Sequence, residues 1–148
     1  LTLKLISEET ERVIKGLEKN ISKVDKEIFA LGGLYIIVIG LYALFEVVVI
    51  NFRPVIMQGE EHPEASFPSS HTMLICVVMG STIMLLDKYI KNNSLCNALK
   101  ILCAIIMVVT VVGRLVSGVH WFTDIIGGVI ISVALLAIFS GVLDVVRG

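Results

Sequence analysis

Four apolar stretches, each about twenty residues long, set the terms on which this chain can fold: Ile28 to Ile50, roughly Phe67 to Leu86, roughly Leu95 to Gly113, and Phe122 to Val146. A helix needs about 20 residues to cross about 30 Å of hydrocarbon. The runs "LYIIVIGLYALFEVVVI" and "VIISVALLAIFSGVL" carry no polar face, whereas a helix on the core of a soluble protein is usually amphipathic. A hydrophobic content of 56% and a mean hydropathy of +0.93 agree with membrane spans, and a cleaved leader explains only an N-terminal run. The expected fold is all-α: an integral membrane bundle of about four transmembrane helices preceded by an amphipathic helix.

That leading segment, residues 1–27, is charged, with Ile14, Leu17, Ile21, Val24 and Ile28 spaced by threes and fours, the stripe of an amphipathic helix. Ser7 followed by Glu8, Glu9 and Glu11 reads as the helix start. The chain begins at Leu1, which suggests a piece of a longer protein. Residues 28–148 form the membrane core.

Charge is distributed more tellingly than its total of −1. If the four helices alternate, Lys4, Arg12, Lys15, Lys19, Lys23, Lys26, Lys88, Lys91 and Arg147 lie on one side, with Lys100 just inside the next helix, and only Arg53 and Arg114 lie on the other. The positive-inside bias turns the second side away from the cytoplasm. A nucleic-acid partner is not expected, because no basic cluster is interleaved with aromatics. Cys76, Cys96 and Cys103 are odd in number and set in or beside apolar helices, which fits packing rather than a disulfide framework or a metal site.

All three prolines, Pro54, Pro63 and Pro68, fall between the first two spans with Gly59 and several acids, marking a solvated loop. Two polar clusters flank the outer side: "NFRP" with "FPSSH" (Phe67 to His71), and "GRLVSGVHWFTD" (Gly113 to Asp124). Singly, each has a plain explanation: N-capping by serine, an Arg114–Asp124 ion pair, or His120 and Trp121 in an interfacial belt. Together they put two arginines, two histidines and an aspartate at span ends, and ionisable groups at membrane depth cost roughly 2.5–3.5 kcal/mol each on insertion scales. An anion offsets that cost, and guanidiniums, a serine hydroxyl and helix-start N–H groups suit phosphate oxygens. Arg114 and His120 would diverge on an unbroken helix, so a break at Gly113 or Gly118 is expected. His120 and Asp124 can meet across one turn, where a carboxylate fixes the imidazole tautomer and frees the other nitrogen as nucleophile or base.

These residues resemble the type 2 phosphatidic acid phosphatase (PAP2) superfamily, whose motifs are Lys-x6-Arg-Pro, Pro-Ser-Gly-His and Ser-Arg-x5-His-x3-Asp. Arg53-Pro54 matches the end of the first; Pro68 to His71 matches the second, with Ser70 in the glycine place; Gly113 to Asp124 matches the third, with Gly113 in the serine place. The resemblance implies a membrane hydrolase of lipid phosphate monoesters or diphosphates, of polyprenyl or phosphatidyl type, that needs no metal or other cofactor. It implies that His120 attacks phosphorus, Asp124 orients it, His71 protonates the leaving alcohol, and Arg53, Arg114, Ser69 and the backbone at Ser70 hold the phosphate. It also implies spans ahead of the first motif and, with the charge bias, a site on the outer face of a bacterial cytoplasmic membrane. The family lysine is replaced by Glu46. A carboxylate in an apolar span needs a partner, and Arg53 or Arg114 is the expected one. The alternative is a degenerate member that binds lipid phosphates or partner proteins without turnover; the remaining one is a structural bundle.

Overall fold

The structure is a computed structural model that describes residues 1–22 and 26–148, with residues 20–22 as backbone only. Five helices follow one another: α1 (Thr2–Ser22), α2 (Lys26–Val47), α3 (Ser70–Tyr89), α4 (Asn93–Val116) and α5 (Phe122–Arg147). The last four are long and apolar enough to span a membrane. Of the residues assigned to the amphipathic stripe, Val24, with Lys23 of the charge tally, lies outside the described residues, as does the side chain of Ile21.

Helix α1 starts at Thr2, so Ser7 lies inside it rather than at its cap. Leu3, Lys4 and Leu5 are strong helix formers, and they extend the helix a turn beyond the expected serine. Its residues 2–19 are exposed, Ile6, Val13 and Leu17 among them. Among the described residues it packs on no other helix.

Helix α3 lies at the centre, packed along both α4 and α5, while α2 closes against α5 and touches α3 more lightly. The core is a column of Leu34 and Val38 from α2, Met73, Val77 and Leu85 from α3, and Leu135, Phe139 and Leu143 from α5. Small residues bring α3 and α5 together, as in membrane helix pairs generally. A Cβ on Gly80 would fall on the Leu136 side chain, and Ser132 Oγ donates to the carbonyls of Gly128 (2.7 Å) and Met73 (3.1 Å). Asn92 caps α4, its side chain accepting from the N–H groups of Ser94 and Leu95.

The helices alternate in direction. The start of α2 meets the ends of α3 and α5, where Glu27 lies 2.5 Å from Arg147 Nε and 3.3 Å from Lys88 Nζ. Nearby, Lys100 pairs with Asp87 at 2.6 Å. At the opposite end, the loop after α2 and the α4–α5 turn come together.

Candidate active site

The loop between α2 and α3 is folded rather than merely solvated. Arg53 N–H donates to the Glu64 carbonyl (2.9 Å) and Ser66 N–H to the Asn51 carbonyl (3.0 Å), around an antiparallel bridge of Phe52 with Ala65. This pairing sets Arg53 and Ser66 on one short ladder. Trp121 Nε1 donates to the Phe52 carbonyl (2.7 Å), and Ser69 N–H to the Asp124 carbonyl (3.0 Å), which ties the ladder and the start of α3 to the start of α5. Gly127 and Gly128 permit that approach. A Cβ on Gly128 would stand 3.1 Å from the Ser69 carbonyl oxygen, and one on Gly127 would collide with the Phe67 ring.

Asp124 is fully buried at the third position of α5. Its Oδ1 accepts from Asn51 Nδ2 (3.1 Å), and its Oδ2 accepts from the Trp121 backbone N–H (2.8 Å) and from the Ser66 hydroxyl. His120 Nδ1 stands 3.6 Å from Asp124 Oδ2, beyond a hydrogen bond, and 3.4 Å from Ser66 Oγ. Because the Ser66 proton goes to Asp124, its oxygen is left to accept from an Nδ1–H. The Ser66 hydroxyl thus stands between the carboxylate and the imidazole. The tautomer this favours leaves a lone pair on Nε2, which is buried without a hydrogen-bond partner among the described residues.

The turn that carries His120 breaks at Gly118, with φ of +70°, a conformation that glycine adopts without a steric cost. Gly113 stays inside α4. Arg114, half-buried in the last turn of α4, has an Nε with no hydrogen-bond partner among the described residues. Burial holds the His120 pKa below the ordinary histidine value, and the positive charges of Arg53 and Arg114 lower it further, against the opposing pull of Asp124.

A narrow cleft is lined by Arg53, His120, Glu46, Ser70, Tyr42 and Phe67. Beside it, an apolar cavity of about 280 Å³ runs between α2 and α3, lined by Val38, Ile39 and Tyr42 on one side and Ser70, His71 and Leu74 on the other. The two spaces share Tyr42, Ser70 and Met73. Arg53, His120 and Ser70 are thus brought together, and His71 stands at the neighbouring cavity. Ser69 is buried and its side chain caps α3, accepting from Thr72 N–H at 3.4 Å.

Glu46 corrects an expectation. It lines the cleft, but it makes no ion pair among the described residues. Arg53 instead pairs with Glu64, at 3.2 Å, because the loop ladder places those two residues side by side. Sequence reasoning also missed Ser66 and Asn51. Their one signal was position, a short polar side chain beside each motif.

A model of the PAP2 superfamily matches residues 28–145. The chain belongs to the PAP2 superfamily. No curated protein and no solved structure matches it. Family membership over residues 28–145, together with four spans, makes this an integral membrane protein of a superfamily whose chemistry is phosphatase-type hydrolysis of lipid phosphates.

Proposed function

We propose that this PAP2 protein hydrolyses a lipid phosphate monoester or diphosphate through a phosphohistidine. His120 Nε2 attacks phosphorus, the bond to the leaving oxygen breaks, and His71 gives that oxygen a proton; His71 then takes a proton from the water that cleaves the P–N bond. Arg53 and Arg114 balance the charge on the equatorial oxygens, with Ser69 and the Ser70 backbone beside them. The observation that carries this reading is the buried Nε2 of His120, unpartnered among the described residues, on a residue that lines the cleft with Arg53, while the Ser66 hydroxyl, bonded to Asp124, lies beside the other nitrogen. The adjoining apolar cavity, with His71 on its wall, suits a hydrocarbon leaving group.

The membrane is a bacterial cytoplasmic one in this reading, with the site outward, residues 28–148 as the catalytic core and residues 1–27 as an amphipathic segment ahead of it. Phosphate release from polyprenyl and phosphatidyl phosphates by purified protein in chelator is the expected result. No release from any of them, with inorganic phosphate still raising the melting temperature, would favour the non-catalytic binder that Glu46 brings to mind. For orientation, an impermeant thiol reagent added outside cells should label Gly59→Cys in a background without the native cysteines. Labelling of Lys91→Cys instead would reverse the topology.

A further inference from the structure

Glu46 stands in the last turn of α2, at the negative end of the helix dipole, where a carboxylate is disfavoured and where no basic residue accompanies it. It is exposed and lines the same cleft as Arg53 and His120. The nearest guanidinium in the motif is already held by Glu64. A local arrangement that costs stability without compensation inside the fold is expected where function requires it. The charges at the cleft point the same way. Arg53 lines the cleft with Glu46 and is already paired with Glu64, so a bare phosphate dianion there meets a guanidinium that is partly countered, whereas a head group that carries its own donor beside the phosphate is matched at both ends.

We propose that Glu46 reads the substrate's head group: its carboxylate accepts a hydrogen bond from a hydroxyl or ammonium carried next to the phosphate ester, so that donor-bearing lipid phosphates are preferred over plain alkyl phosphates. The inference rests on the phosphatase reading above and names the class of monoester that this site takes. An ammonium gives the stronger, charge-assisted contact. The exposure of Glu46 keeps the gain modest, because solvent screens such pairs.

Three single-chain substrates of equal length test it: an alkyl phosphate, its 2-hydroxy analogue and its 2-amino analogue, each offered in detergent micelles to wild-type protein, Glu46→Gln and Glu46→Lys. Wild type should show kcat/KM about two- to fivefold higher for the donor-bearing pair, the amine leading. Glu46→Gln should bring the amine and the alkyl phosphate to near parity, and Glu46→Lys should favour the alkyl phosphate. Equal rates for all three in wild type, or a preference that Glu46→Gln leaves intact, overturns the assignment while the phosphatase reading stands. If wild type hydrolyses none of the three, both fall together. An amine preference without a hydroxyl one identifies the donor as cationic and supports the proposal.

Discussion

Each end of the bundle buries a carboxylate, and their partners differ in kind. Glu27, 1% exposed, is clasped by two cations, Arg147 and Lys88, that hold the start of α2 to the ends of α5 and α3. Asp124, fully buried at the site end, is surrounded by neutral donors: a hydroxyl, a carboxamide and a backbone N–H. A carboxylate paired with a cation closes the local charge balance. One satisfied by neutral donors leaves nearby cations free for something else, and Arg114 Nε, unpartnered among the described residues, lies within electrostatic reach of His120. The far end holds helices together through ion pairs, and the site end leaves a guanidinium nitrogen and an imidazole nitrogen without hydrogen-bond partners among the described residues.

Substitutions that separate holding from chemistry break this comparison in a defined order. His120→Ala should lower kcat by roughly a thousand-fold or more with the melting temperature almost unmoved, since no adjacent group supplies a nucleophile. Retention of more than a few per cent of activity removes His120 from that role. Ser66→Ala should lower kcat by about a hundred-fold with KM little changed, because the imidazole loses the hydroxyl that couples it to Asp124. An unchanged kcat would mean that the relay through Ser66 plays no part. Glu27→Gln should do the reverse, costing on the order of 2 kcal/mol of stability, less than a fully enclosed pair because both cations are partly exposed. Its kcat/KM should stay within about twofold of wild type, and a large loss of turnover with an unmoved melting temperature would contradict the division.

The smallest effect is in pH. A depressed His120 pKa keeps the imidazole neutral below the ordinary value of about 6.5, so the acid limb of kcat/KM should fall below that value. Arg114→Gln removes one of the charges that disfavour the protonated ring, so the limb should move upward. A downward movement would show that the guanidinium does not act on this histidine.

The four spans were legible from composition, to within a few residues, because a continuous apolar run of about twenty residues satisfies its own backbone inside hydrocarbon only as a helix. One miss of three residues was the end of the first: Val48 to Ile50 are apolar but leave α2 at Val47, drawn off toward the ladder that begins at Asn51. Motif spacing also brought Arg53, Ser70 and His120 to one cleft. What it did not give were the long-range neutral partners of Asp124, since Ser66 and Asn51 lie 58 and 73 residues away and serines and asparagines beside a turn are ordinary loop residues. Glu27 was hidden for a similar reason. At the edge of a charged segment it reads as a solvated acid, and only the return of α5 to the same membrane side reveals the clasp.

The covalent step distinguishes a site that turns phosphate over from one that merely holds it. Protein mixed with a phosphorus-labelled lipid phosphate in chelator, quenched in alkali within a single turnover and digested for mass spectrometry, should carry label on His120 and on no other residue. Ser66→Ala should accumulate it more slowly and His120→Ala not at all. Steady turnover with no label on His120, or label on another side chain, would contradict the claim that this end of the bundle presents His120 Nε2 to phosphorus.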